Sequence, residues 1–415
     1  MKFDTIIIGG GLSGLTCAIR LQKQGQRCAV VSAGQSTLHF GSGSFDLLNF
    51  DAQGNALQQP LEGVKHLEES HPYHKLGDTI GSYAEMARCQ LIESGVSVSG
   101  DAASNHYRFT PMGSLQPTWL TLEEFTTAKT VDDLPKGKIL IANFAGFLDF
   151  NTKFVQDALR EQDAVCDVVQ LHIGAVDHLR ENPTEMRAAN IAKALEVETS
   201  FEEFITKLNR ASKGYDWVVL PAVFGFKNND LITKLRNEVP VRLMLMPTMP
   251  PSIPGVRTQI LLRREFERLG GVFMLGDQIV EAGMEGQRVQ YLRSANHEDL
   301  RLVAQNYVLA TGHFFSGGLV STIDKIYEPI FGCDVAYQEG REHWYEADVF
   351  QAPNYAQFGV QTDEEFHAMK SGRAFENLYA IGSVLSGTDS VARGCNAGVS
   401  MLTALYVADR IMKGC

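Results

Sequence analysis

What this sequence lacks narrows it first. No apolar run approaches the roughly eighteen residues that a membrane-spanning helix needs. The longest candidate, WVVLPAVFGF at 217–226, is far too short. The seven cysteines, Cys17, Cys28, Cys89, Cys166, Cys333, Cys395 and Cys415, are scattered, with no C-x-x-C pair and no Cys/His cluster. Such a set suits a reducing compartment and offers no zinc or iron–sulfur site of familiar spacing. Any redox centre is expected to be organic, and no metal site is expected. Positive charge is in deficit: 37 Lys and Arg against 49 Asp and Glu give a net charge of −12. That balance argues against a nucleic-acid partner and against direct adhesion to anionic lipid. The first apolar run breaks at glycine too early for a signal peptide. The expectation is a cytoplasmic protein that reaches a membrane only through a partner.

One further absence is local. The N-terminus reads β–α–β: the apolar strand DTIIIGG, the amphipathic helix LSGLTCAIRLQKQG closing at Gly25, and the strand RCAVVSA. Gly9, Gly11 and Gly14 form a G-x-G-x-x-G fingerprint between the first strand and the helix. In that context the first glycine permits a tight turn, the second lets a pyrophosphate approach, and the third lets helix pack on strand. The phosphate then rests on the helix N-terminus. An acid should follow at the end of the second strand to clamp the adenosine ribose. Ser32 stands there, and no Asp or Glu occurs between Asp4 and Asp46. No arginine follows to favour a 2′-phosphate either. Either FAD binds with a weakened clamp, or the ligand lacks adenosine, as FMN does.

Other small-residue segments fit a flat cofactor. Ser42, Gly43 and Ser44 follow the second strand, and YVLATG ends a buried strand at Gly312. LYAIGS ends another at Gly382 and Ser383, where many flavoproteins carry Gly-Asp. Gly394, Asn396, Ala397 and Gly398 precede a long apolar helix whose N-terminus would stabilise the negative charge of a reduced flavin. His39 reads as a solvated or packed residue rather than a catalyst, and His313 as a structural histidine, with a place beside the cofactor as the alternative. Arg187, Arg257 and Arg393 are candidate anchors for an anionic substrate, with Arg257 and Arg393 favoured because they flank cofactor elements. Asp46 and Asp389 lie near motif glycines, but no residue identifies itself as the catalytic base.

At 415 residues the chain holds roughly two to three domains' worth of sequence. The expected fold class is α/β: a Rossmann-like FAD/NAD(P)-binding flavoprotein fold with an inserted α/β substrate or cap domain. Residues 1–55 and 256–415 would form the flavin-binding domain and 56–255 the insertion. Pro-rich MPTMPPSIPG at 246–255 marks the return.

Several longer segments are more specific than the glycines. MPTMPPSIPGVR, GHFFSGGL, EPIFG, FGVQTDE and IGSVLSG, with the first 48 residues, resemble the B-subunit family of bacterial anaerobic glycerol-3-phosphate dehydrogenases over essentially the whole chain. The resemblance implies an enzyme oxidising sn-glycerol 3-phosphate to dihydroxyacetone phosphate. It implies a catalytic A subunit carrying FAD, and an iron–sulfur C subunit attaching the complex to the inner membrane. Electrons would pass on to menaquinone in fumarate or nitrate respiration, and FMN is the cofactor implied for B. Two alternatives remain open: a free-standing flavin dehydrogenase or reductase of another substrate, and a non-catalytic assembly protein.

Overall fold

The computed structural model describes residues 1–414 save 298, 349 and 352, so Cys415 lies outside the described residues. Its organising element is a six-stranded sheet. The strands are β1 (Lys2–Ile8), β2 (Cys28–Ser32), β3 (Val272–Leu275), β4 (Val303–Leu309), β5 (His367–Lys370) and β6 (Arg373–Ala380). Their order is β3-β2-β1-β4-β6-β5, parallel throughout except where β5 turns back on β6. The continuous apolar runs of β1 and β2 follow from this placement, since a central parallel strand is covered on both faces. Ile6, Ile7, Ala29 and Val30 are fully buried.

Three helices build one layer on this sheet. They are α1 (Leu12–Lys23), α2 (Ile253–Arg268) and α3 (Asn396–Lys413). Helix α1 packs between the other two, and Arg20 on α1 pairs with Asp409 on α3 at 2.8 Å. Most of α3 is buried, which explains why its sequence is apolar nearly all round. The antiparallel pair Ile279–Glu285 and Arg288–Ser294 packs on β4 and β6.

A second, wholly parallel sheet lies between residues 138 and 246. Its order is Val165–Leu171, Lys138–Phe144, Trp217–Pro221, Arg242–Met246. Phe144, Phe204 and Phe224 meet in its core with centroids 5.4–6.5 Å apart. Two small antiparallel sheets join the halves. In one, Ser44–Phe45 pairs with Leu120–Leu122, which also pairs with Val98–Ser99. In the other, His106–Phe109 lies between Leu115–Thr118 and Thr127–Ala128. A helix at Ile80–Glu93 packs on α3. Chain between 56 and 128 is thus shared between the two sheets rather than confined to one side.

Candidate functional site: a cavity along the strand ends

A cavity of ≈ 610 Å³ runs over the carboxyl ends of β3, β2, β1, β4 and β6. Adjacent strands lie about 4.8 Å apart, so four steps across the sheet span roughly 19 Å. At one end it is lined by Ser32, Gln278, Ile279 and Val280; at the other by Asp46, Ser383, Asn396 and Ala397. Gly9, Gly10 and Gly11 lie between them.

The three fingerprint glycines have separate physical reasons. Gly9 has φ +118°, and a Cβ there would stand 2.1 Å from the Ala310 carbonyl oxygen at the end of β4. A Cβ on Gly14 would stand 1.9 Å from the Gly9 oxygen, so helix and strand could not close. Gly11 differs: its nearest neighbour would be Ser36 Cβ at 3.6 Å, and the space before it is cavity. The first helical bond of α1 is Leu15 N–H to the Gly11 carbonyl. The N–H groups of the preceding turn thus lack helical acceptors and bear the positive end of the helix dipole. This is a cradle for phosphate oxygens.

At the far end α3 repeats the device. Its Gly398 N–H donates to the Asp46 carbonyl at 2.8 Å, while Asn396 and Ala397 line the cavity. Two helix N-termini therefore face one elongated space. Thr311, on the wall after β4, has a buried hydroxyl with no protein partner. These features fit a ligand carrying a pyrophosphate at one helix and an electron-rich ring edge at the other.

Ser32 lies on the cavity wall, with its hydroxyl donated to the Gly34 carbonyl at 3.0 Å. A carboxylate does stand close by, and sequence reasoning misses it. Asp277, 2 % exposed, follows β3, and both its own N–H and that of Gly276 donate to the Ser32 carbonyl. Burial pushes the Asp277 carboxyl up, but bonds from Asn296 N–H, Ser294 and His297 outweigh this and hold it below the usual range. The signal is absent because Asp277 lies far along the chain from Gly14 and reaches the fingerprint only through the β3–β2 pairing.

The structure distributes the remaining candidates. Ser42, Gly43, Ser44, Gly312 and Ser383 line the cavity. Gly382, Gly394 and Gly398 are packing positions: added Cβ atoms would meet Ser13 Oγ at 2.7 Å, Asn49 Cβ at 2.7 Å and Tyr73 Oη at 2.1 Å. His39 and His313 sit outside the lining, each pushed down by burial. Arg187, at the start of the helix Ala188–Leu195, pairs with Asp149 at 3.2 Å in the loop after the strand Lys138–Phe144.

Neither favoured arginine reaches the cavity. Arg257, 2 % exposed, gives Nη1 to the carbonyls of Phe224 (2.8 Å) and Gly225 (2.7 Å) and Nη2 to the Glu124 carboxylate. Arg393 pairs with Glu68 at 3.0 Å beside a separate depression. Closeness in sequence to cofactor elements favours both, but the fold gives each of them other partners. The arginine on the cavity wall is Arg108, whose place in the middle of an unremarked segment carries no signal.

A parallel sheet with a glycine cradle at its first helix and a second helix N-terminus across one long cavity defines a dinucleotide-binding flavoprotein fold. Residues 4–399 match the family model described as FAD binding domain. The sequence is 43% identical over 417 residues to the B subunit of anaerobic glycerol-3-phosphate dehydrogenase from Yersinia enterocolitica, covering 99% of this chain and 98% of that one. It is 40% identical to the protein of that name from Pectobacterium atrosepticum (100% and 99% covered) and 39% to that from Actinobacillus succinogenes (99% and 99%). The chain belongs to the B-subunit family of anaerobic glycerol-3-phosphate dehydrogenases, within the FAD-binding oxidoreductases. Membership of a subunit family implies a multi-subunit enzyme. No helix among the described residues is long and apolar enough to cross a membrane.

Proposed function

We propose that this chain is an FAD-bearing subunit that oxidises sn-glycerol 3-phosphate to dihydroxyacetone phosphate. It would deliver the electrons to its partners, the A and C proteins of the same complex, the latter an iron–sulfur protein at the inner membrane, and so to menaquinone. The relatives' names support the substrate and the cavity supports the cofactor. The observation that carries the cofactor is the cavity's reach. A mononucleotide with its phosphate on α1 would leave the Ser32–Val280 end unfilled, whereas a dinucleotide such as FAD would reach both ends. This favours FAD over the FMN expected from the missing acid at Ser32, as does the match to an FAD-binding family.

Bound FAD supplies the two-electron acceptor for substrate oxidation. The chain's own residues do the rest. The first N–H groups of α1 would hold the pyrophosphate, and those of α3 would favour negative charge at the ring edge. Asp46 lies on the wall next to α3, its Oδ1 held by the Thr118 hydroxyl at 2.6 Å. Its carboxylate is placed to take the proton of a substrate hydroxyl.

The test is direct. The purified chain is denatured, the released flavin identified by chromatography, and the loaded protein titrated anaerobically with sn-glycerol 3-phosphate while the flavin absorbance is followed. Release of FAD and its bleaching by substrate are the expected results. Release of FMN would overturn the cofactor assignment. FAD that glycerol 3-phosphate cannot bleach would move the substrate oxidation to a partner protein of the complex.

A further inference from the structure

Arg108 is the only cationic side chain on the wall of the flavin cavity among the described residues. It sits in the strand His106–Phe109, in the small sheet that adjoins Asp46 through Thr118. The residue is 5 % exposed. Its Nη1 donates to the Phe109 carbonyl at 3.1 Å, and its Nε is buried with no partner. No carboxylate of the described residues forms an ion pair with it; Asp46, on the same wall, is the opposite charge that acts on it.

Arg257 shows what a satisfied arginine looks like in this fold. It is buried as well, but two carbonyls and the Glu124 carboxylate take its hydrogens. A guanidinium stays charged at any working pH, and burying it without a counter-ion is unfavourable. A fold that holds such a group in a cavity wall leaves the partner to be supplied from the cavity. The guanidinium fork matches the oxygens of a phosphate or carboxylate.

We infer that Arg108 is the anion anchor of the substrate recess, taking the phosphate of a small phosphomonoester while the Asp46 carboxylate faces the hydroxyl to be oxidised. The inference rests on the function proposed above and adds to it the residue that selects a phosphorylated substrate.

The experiment uses the full-length, flavin-loaded chain and its R108K and R108Q variants. Inorganic phosphate and sn-glycerol 3-phosphate are each titrated while the flavin difference spectrum and the thermal midpoint are recorded. Wild type is expected to bind both. R108Q should bind both about 10- to 100-fold more weakly with its flavin content unchanged, and R108K should recover part of the loss. Equal affinity for phosphate in wild type and both variants would overturn the anchor, as would no phosphate binding by wild type. So would loss of flavin from R108K and R108Q with anion affinity unaltered, which would place Arg108 against the cofactor instead. Failure of the anchor and failure of the proposed substrate give different results. Arg108-dependent phosphate binding without reduction by sn-glycerol 3-phosphate sinks the proposed substrate alone. Undiminished reduction and binding in R108Q sink the anchor alone.

Discussion

Arg257 and Glu124 form a buried ion pair that ties helix α2 to the segment following the Leu120–Leu122 strand. The arginine also holds the Phe224 and Gly225 carbonyls, at the end of the second parallel sheet. It is therefore a joint between the two halves of the molecule. Removing either partner strands the other charge in a dry environment, a change that costs about 3–5 kcal/mol. Arg257→Met and Glu124→Gln are each expected to lower the urea midpoint accordingly, and the double variant Arg257→Met/Glu124→Leu to recover part of the loss. The KM for substrate should stay near wild type in whatever fraction is folded. A raised KM at undiminished stability would return Arg257 to the role of substrate anchor.

The glycines of the fingerprint should separate by substitution. At Gly11 the backbone is extended (φ −85°, ψ −168°), and an added methyl touches nothing closer than 3.6 Å. Gly11→Ala should fold with an unchanged apoprotein thermal midpoint and bind flavin at least about 10-fold more weakly, because the methyl occupies the space of a phosphate. Gly14→Ala instead drives a Cβ into the Gly9 carbonyl, and should lower apoprotein stability by about 1–3 kcal/mol as an overpacked contact. Apoprotein melting and flavin titration on both variants check the pair. Equal flavin affinity in Gly11→Ala and wild type would remove the phosphate from this helix.

These sites also show what can be read from sequence. The β1–α1–β2 unit and α3 are legible because long, strongly apolar segments carry a period of their own. The strands between 98 and 128 are not, since elements of two to four residues have no measurable period. The helix Ile80–Glu93 hides its buried stripe in Ala84 and Ala87. Among site residues, the glycines announce themselves through local spacing. Arg108 cannot, because what distinguishes it is a missing partner, and partners are assigned by tertiary structure. Asp277 is hidden in the same way: it is a carboxylate brought alongside Ser32 only by strand pairing.

Of the four histidines that burial holds below their ordinary value, His71 and His106 are pushed furthest and contribute most to the pH dependence of stability. Burial, together with the nearby charge of His74 and Arg393, pushes His71 down to about 3. Burial and Arg108 push His106 down to about 4. Both lie below the value of about 6.5 expected in the unfolded chain. Above that pH both states are neutral and the groups contribute nothing. Below it the unfolded chain takes up protons that the folded chain refuses, so stability falls as pH drops from 6.5 toward 4, by up to about 1.4 kcal/mol per pH unit for each group. Urea midpoints at pH 7 and pH 5 should differ in that sense, and His71→Gln or His106→Gln should flatten the dependence. A midpoint that rises on acidification would contradict both assignments.

Asp46 joins three structural roles at one position. Its carbonyl accepts from Gly398 and so anchors the first turn of α3; its Oδ1 accepts from Thr118; its carboxylate lies on the cavity wall. Asp277 is the other carboxylate on that wall among the described residues, and it lies at the Ser32 end with both oxygens engaged. Asp46→Asn leaves the main-chain bond in place and keeps an oxygen for Thr118, so the fold and flavin content should be retained, with a lower thermal midpoint because Arg108 loses the opposite charge that acts on it. What it removes is the capacity to accept a proton at the α3 end. Stopped-flow reduction of the bound flavin by sn-glycerol 3-phosphate should slow by about 10²- to 10⁴-fold, the range for loss of a positioned base. Substrate affinity, which is assigned to Arg108, should change far less. A variant that reduces its flavin at the wild-type rate would leave proton removal to solvent or to a group supplied by another protein of the complex.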